Sequence, residues 1–260
     1  MKAPDLPRVI GELANEYSRR GEDEKAVKYF LLSDQISSGQ PATVYNLGAI
    51  YMDLGKLDLA EKYLEQAVNM EPEDVLARVN LGTVYQELGK MELAKYQFET
   101  AIELDPRSAL AHNNLGDLYF DLGELEKAEA EFQIALKYDP KMELAHYNLG
   151  LTYDRAGLWQ DALFHFQKAY EQNPGFPDNP LQVGAMLIKL NQPKKAEEWI
   201  EKTLALDQSY AIAWYYLGLA KMKEGKKQEA LSAFENSLNF LKANETQLKA
   251  EIESLISEIK

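Results

Sequence analysis

The sequence predicts an all-α protein in which one helical hairpin is repeated along the chain. Three observations favour this fold class. A glycine recurs every 34 residues from Gly48 to Gly218, apolar residues within each period follow helical spacing, and a second glycine series marks a turn between two helices. Fixed self-similarity of this length is typical of stacked repeats, in which each unit buries its apolar face against the next.

The glycine series keeps its phase without insertion or deletion from residue 7 to residue 244. Its members are Gly48, Gly82, Gly116, Gly150, Gly184 and Gly218, with Ala14 one period earlier. We therefore predict a lead-in over residues 1–6, seven repeats, and a further helix over residues 245–260. The repeats are 7–40, 41–74, 75–108, 109–142, 143–176, 177–210 and 211–244.

Repeat 109–142 illustrates the predicted hairpin. An apolar stripe defines its first helix and ends before Gly123, which suits the left-handed residue that terminates a helix. A second stripe follows over residues 125–136, and Asp139-Pro140 closes the second helix because proline disfavours helical geometry in the residue before it. The turn position holds Gly21, Gly55, Gly89, Gly123, Gly157, Asn191 and Gly225, and asparagine best replaces glycine in that conformation.

These residues resemble the tetratricopeptide repeat, whose pattern reads here as Leu81-Gly82-x2-Tyr85, Ala94-x3-Phe98, Ala101 and Pro106. Repeats between residues 41 and 176 match nearly throughout, and the outer repeats depart more. The resemblance implies a right-handed α-solenoid superhelix whose concave groove is lined by the first helix of each repeat. It also implies that the groove binds a protein or peptide.

The last helix, residues 245–260, has an apolar face formed by Leu248, Ile252, Leu255, Ile256 and Ile259. One interpretation is a C-terminal capping helix over the last repeat. The other is a helix that docks in a groove, either its own or that of another copy.

Composition excludes several classes of partner. The chain has 42 acidic and 28 basic residues and a formal net charge of -14, which argues against nucleic acid and against an anionic membrane surface. The absence of cysteine excludes disulfides and thiolate ligands. Residues 1–7 lack the apolar segment of a signal peptide, and no run approaches the roughly 18 apolar residues of a membrane span. We expect a cytoplasmic protein without membrane insertion.

One groove position, assigned by the resemblance, holds asparagine in four successive repeats: Asn46, Asn80, Asn114 and Asn148. An asparagine side chain both donates and accepts, so such a row could hold a peptide backbone without reading its side chains. The alternative is that these asparagines bind local backbone or water.

Charged and apolar residues occupy the other groove positions. Asp53, Glu87, Asp117 and Asp121 are acidic, which predicts a ligand with basic residues, whereas Arg155, Lys189 and Lys223 make the C-terminal half basic. A solvated alternation of charge without a partner is the alternative. We expect about half of the apolar set to be buried by neighbouring helices and the rest to contact a ligand. This set is Tyr45, Met52, Leu76, Phe120, Tyr147, Leu151, Leu181, Ile188, Tyr215, Leu219 and Met222.

No catalytic, cofactor-binding or metal site is predicted. His112 and His146 hold equivalent places in adjacent repeats and His165 lies on a second helix. Neighbouring helix axes lie roughly 8–10 Å apart, which we expect to keep two imidazoles from sharing a metal. The sequence thus predicts a non-catalytic scaffold or adaptor. The alternative is a self-assembling structural protein whose groove or C-terminal helix packs on another copy.

Overall fold

The computed structural model describes residues 6–259. Residues 1–5 of the predicted lead-in and Lys260 of the predicted C-terminal helix lie outside the described residues. Within the described part, the chain forms fifteen α-helices and no strand, so the predicted all-α fold class is confirmed. The helices belong to two compact units, divided between residues 127 and 128.

The first unit consists of three helical hairpins and a seventh helix. Its helices are α1 (Leu6–Arg19), α2 (Asp23–Ile36), α3 (Pro41–Asp53), α4 (Leu57–Met70), α5 (Val75–Glu87), α6 (Met91–Leu104), α7 (Ala109–Asp121) and the first residues of α8 (Leu125–Tyr138). The hairpins α1–α2, α3–α4 and α5–α6 pack on one another in chain order, and α5 also contacts α3 and α7. The first helices of successive repeats are therefore neighbours in this unit.

The second unit repeats this arrangement. It contains the rest of α8, then α9 (Glu143–Arg155), α10 (Trp159–Gln172), α11 (Asp178–Lys189), α12 (Pro193–Leu206), α13 (Ala211–Lys223), α14 (Lys227–Phe240) and α15 (Thr246–Ile259). The hairpins α9–α10, α11–α12 and α13–α14 pack in chain order, and α15 packs on α14.

The turn inside each hairpin uses the predicted left-handed residue. Gly55 has a φ of 65°, and Asn191 takes the same conformation with a φ of 57°. At the turn between α3 and α4, the Gly55 backbone N–H donates to the Met52 carbonyl at 2.9 Å and the Lys56 N–H donates to the Tyr51 carbonyl at 2.8 Å. These bonds satisfy carbonyl groups that the end of α3 leaves without helical partners.

The glycine that recurs in the first helices allows the two helices of a hairpin to pack closely. A Cβ atom added at Gly82 would lie 2.5 Å from Cε1 of Phe98, and one added at Gly150 would lie 2.6 Å from Cε1 of Phe166. Both phenylalanines are fully buried. The 34-residue period thus reflects one large side chain of the second helix seated on one glycine of the first.

The C-terminal helix lies on its own chain. Ile252 of α15 is fully buried against Ala230 and Phe234 of α14. The Tyr215 hydroxyl of α13 donates a hydrogen bond to Oε1 of Glu251 at 2.5 Å. Helix α15 therefore covers apolar surface of the last hairpin.

Candidate functional site

In the first unit, the groove asparagines join the first helices of consecutive repeats. Nδ2 of Asn46 donates to Asn15 Oδ1, Nδ2 of Asn80 to Tyr45 Oη, and Nδ2 of Asn114 to Thr83 Oγ1, each at 3.1 Å. The acceptors lie on α1, α3 and α5, and the donors lie on α3, α5 and α7. The asparagine row therefore has a structural role that the sequence did not reveal.

These contacts do not use the full capacity of each amide. A primary amide carries two N–H donors and a carbonyl acceptor, and the contacts of Asn46 and Asn80 use one donor each. Both side chains are partly exposed. Asn114 is more fully engaged, because its Oδ1 accepts from Asn113 Nδ2 at 3.1 Å. Asn148 belongs to the second unit, where it is half-buried on α9.

Two of the predicted acidic residues share one donor. Nε2 of Gln86 on α5 donates to Asp117 Oδ2 at 2.9 Å and to Asp121 Oδ2 at 2.7 Å, both on α7. Burial raises the pKa of Asp117, the Gln86 hydrogen bond lowers it, and the Asp121 charge raises it further, with a net increase. The sequence analysis did not single out Gln86, which brings the two carboxylates together.

The other two predicted acidic residues are exposed and end their helices. Asp53 is the last residue of α3 and Glu87 the last of α5. Partial burial and the charge of Asp23 raise the pKa of Asp53. Helices α3, α5 and α7 of the first unit therefore carry these four carboxylates near their C-terminal ends.

The predicted apolar contacts are mostly half-buried. In the first unit, Tyr45, Met52 and Phe120 are partly exposed and Leu76 is 53% exposed. In the second unit, Leu181 and Ile188 are buried in the core rather than presented to a ligand.

The side chain of Tyr147 is already in contact with three other side chains. Its ring packs edge-on against Phe166 at 5.5 Å and Phe176 at 6.5 Å between centroids, and its hydroxyl bonds to Gln182. Tyr215, Leu219 and Met222 pack in the cluster that α15 covers. The structure thus buries only Leu181 and Ile188 of the predicted apolar set, fewer than the expected half, although neighbouring side chains partly cover several of the others.

The predicted basic residues of the second unit are partly neutralised. Nζ of Lys189 lies 2.5 Å and 2.7 Å from the two carboxylate oxygens of Asp154. Arg155 is exposed at the end of α9, and Lys223 is exposed at the end of α13. The carboxylate of Asp154 therefore weakens the attraction of Lys189 for an acidic ligand.

The imidazoles of His146 and His165 lie close together, a contact that the sequence analysis did not predict. Their Nδ1 atoms lie 3.0 Å apart. Both residues belong to one hairpin, α9–α10, so their side chains meet between its two helices although the helix axes are well separated. Burial lowers both pKa values, that of His165 to about 4 with a further contribution from His146.

Residues 6–259 contain neither a cluster of metal ligands nor a membrane-spanning helix. No group of three or more His, Cys, Asp or Glu side chains there could hold a metal ion. None of the helices in that range has the length and apolar character needed to cross a membrane.

Comparisons with known proteins agree with the repeat architecture. Sequence models of the tetratricopeptide repeat match residues 40–107, 81–141, 113–177, 155–221 and 212–239. None of the curated proteins compared with this chain matches it.

Three solved structures illustrate the likeness of fold. YrrB, described as a TPR protein with an unusual peptide-binding site, is 21% identical with a TM-score of 0.60, covering 72% of this chain and 97% of YrrB. PilW, a type IV pilus biogenesis factor, is 22% identical with a TM-score of 0.71, covering 80% of this chain and 96% of PilW. A tetratricopeptide repeat protein from Parabacteroides merdae is 19% identical with a TM-score of 0.69, covering 97% and 98% of the two chains.

At these identities the likeness to solved structures shows the fold alone. The sequence models, however, span residues 40–239 without a gap. The chain belongs to the tetratricopeptide repeat family.

Proposed function

We propose that this protein is a non-catalytic adaptor that binds an extended peptide with basic residues on the first helices of its first unit. The observation that carries this proposal is the pair of carboxylates, Asp117 and Asp121, joined by the amide of Gln86. A lysine or arginine side chain of a ligand would relieve the repulsion between the two charges and could pair with both.

Three further features support the proposal. The partly used amides of Asn46 and Asn80 offer donors and acceptors to a peptide backbone. The net charge of -14 favours encounter with basic ligands. The fold is that of YrrB, which is described as having a peptide-binding site. A cytoplasmic location stays our prediction.

The experiment uses charge-neutral variants of similar shape. The Asp117→Asn/Asp121→Asn variant keeps an acceptor for Gln86 but removes both charges. A matched control, Glu73→Gln/Glu103→Gln, removes two exposed carboxylates elsewhere in the first unit, so both variants change the net charge from -14 to -12. Binding is measured by fluorescence anisotropy with a labelled peptide that alternates arginine with alanine, and with a glutamate–alanine peptide for comparison.

The wild type and the control variant should bind the arginine peptide with similar affinity. The Asp117→Asn/Asp121→Asn variant should bind it about 5–30-fold more weakly, because two ion pairs, that of Asp117 partly desolvated, together contribute about 1–2 kcal/mol. Equal weakening in both variants would mean that only net charge matters. No binding of the arginine peptide by the wild type would reject a basic ligand.

A self-assembling protein is the second candidate, and one feature of α1 favours it. Leu6, Val9 and Leu13 lie at helical spacing on α1 and are 55%, 40% and 40% exposed. Such a stripe could pack on another copy. Light scattering over a range of protein concentrations decides the point, because the Val9→Ser/Leu13→Ser variant should dissociate an assembly held by this stripe.

A further inference from the structure

We propose that His146 and His165 form a two-ligand site for a borderline divalent cation of the Zn²⁺ class. The site lies in the α9–α10 hairpin of the second unit. It is independent of the proposed peptide-binding face of the first unit.

The separation of the two imidazoles fits a shared metal ion. Their Nδ1 atoms lie 3.0 Å apart. Zn–N bonds of about 2.0–2.1 Å with tetrahedral angles place two ligand nitrogens about 3.3–3.4 Å apart. Rotation of the two rings would convert the hydrogen-bonded pair into a pair of ligands, with the nitrogen atoms moving apart by about 0.3–0.4 Å and the proton shared between them moving to Nε2 of His165. Imidazole nitrogen suits Zn²⁺, Ni²⁺ and Cu²⁺ rather than Mg²⁺ or Ca²⁺.

The ring of His146 is held in the tautomer that a ligand needs. His146 also hydrogen-bonds to the backbone carbonyl of Pro140. Since Nδ1 faces His165, the proton donated to that carbonyl belongs to Nε2, which leaves the lone pair of Nδ1 directed at His165. Ligating histidines in metal sites are commonly oriented in this way, by a carbonyl or carboxylate on the other ring nitrogen.

The surroundings fix the second ring and leave it accessible. The His165 ring packs against Tyr153 and Phe164, at 5.5 Å and 5.1 Å between ring centroids. His165 is partly exposed whereas His146 is buried. The described residues provide no third protein ligand of the usual types. Because His165 is partly exposed, water can occupy the remaining coordination positions.

Nearby charges act in both directions. The positive charge of Lys168 opposes a cation near His146, whereas Glu171 favours it, and Asp161 favours a cation near His165. Nζ of Lys168 also forms an ion pair with Glu171 at 2.6 Å, so these two charges largely offset each other. The carboxylate of Asp161 is then the nearby charge that favours a cation at the pair.

The preceding repeat provides a matched control. His112 lies 34 residues before His146 and its Nε2 also contacts a proline carbonyl, that of Pro106, at 3.3 Å. The residue 34 positions before His165 is Glu131, so the sequence repeats the first imidazole without the second. A single-histidine position of the same type is therefore present in the same chain.

The test is a competition titration of Zn²⁺ between a chromophoric indicator and the full chain at pH 7.5. The wild type and the variants His165→Gln, His146→Gln and His112→Gln are compared, with circular dichroism to verify folding and excess Mg²⁺ to occupy general carboxylate sites. One Zn²⁺ equivalent should be held by the wild type and by His112→Gln. Both other variants should hold it at least about tenfold more weakly.

Wild-type affinity in His165→Gln would overturn the proposal, as would an equal loss in His112→Gln. The His165→Gln variant decides the outcome if His146→Gln fails to fold, because His165 is the more exposed of the two. Imidazole carbon chemical shifts provide a second readout. Zn²⁺ should move the His146 and His165 signals to those of the Nδ1-coordinated form, and unchanged signals would mean that the ion binds elsewhere.

Discussion

The contact between Asn80 and Tyr45 should contribute measurably to the packing of α5 on α3. The bond is 3.1 Å long and both side chains are half-buried, so we expect about 0.5–1.5 kcal/mol of net stabilisation. The Asn80→Ala substitution alone understates this contribution, because alanine gains up to about 0.7 kcal/mol of helix propensity. A double-mutant cycle with Tyr45→Phe removes that offset.

The assay is urea unfolding at 25 °C of the wild type, Asn80→Ala, Tyr45→Phe and the double variant. The coupling energy should be about 0.5–1.5 kcal/mol. Asn69→Ala, at an exposed position on α4, should show no coupling with Tyr45→Phe. A coupling energy of zero for Asn80 and Tyr45 would refute the structural role of the asparagine row and leave ligand binding as its reason.

Further predictions concern the hairpin core, the turn and pH. Truncating Phe98 to alanine should lower the free energy of unfolding by about 3–5 kcal/mol, because the ring is fully buried on Gly82. At Asn191, whose φ is 57°, valine should destabilise by about 1–2 kcal/mol whereas glycine should not, as urea unfolding of both variants can check. Affinity for the arginine peptide should fall as the pH approaches the raised pKa of Asp117, which lies above the usual 3.8, because the protonated carboxyl no longer attracts a cation. Because the pKa of Asp117 is raised in the folded state, its ionised form lowers the free energy of unfolding at neutral pH, and this cost disappears on acidification. The Asp117→Asn variant should show neither this pH dependence of stability nor that of peptide affinity.

The fold could be predicted from the sequence because its determinants are local and periodic. Gly82 accepts Phe98 within one hairpin, and Asn191 replaces a turn glycine in the same conformation. Each determinant lies within a single 34-residue unit and recurs, so that a single sequence shows the pattern several times.

The candidate site was only partly predictable, because its contacts depend on how side chains meet between helices. The position of Asn80 was predicted, but its bond to Tyr45 joins residues 35 positions apart, in different repeats. Gln86 holds a repeat position that is Met52, Phe120 or Ile188 in other repeats, so residue type did not mark it as the donor shared by two carboxylates. The contact between His146 and His165 was not predicted, because the separation of two helix axes does not show whether side chains from both helices meet between them.

The most direct test of peptide binding on the first unit is to follow side-chain amide resonances by NMR during titration with the arginine–alanine peptide. We predict that the Gln86 and Asn80 amide signals shift with saturation, because the ligand displaces or polarises their contacts with Asp117, Asp121 and Tyr45. The Asn69 amide on the second helix of its repeat should not shift. Shifts at Asn69 with unchanged Gln86 and Asn80 signals would contradict binding on the first helices.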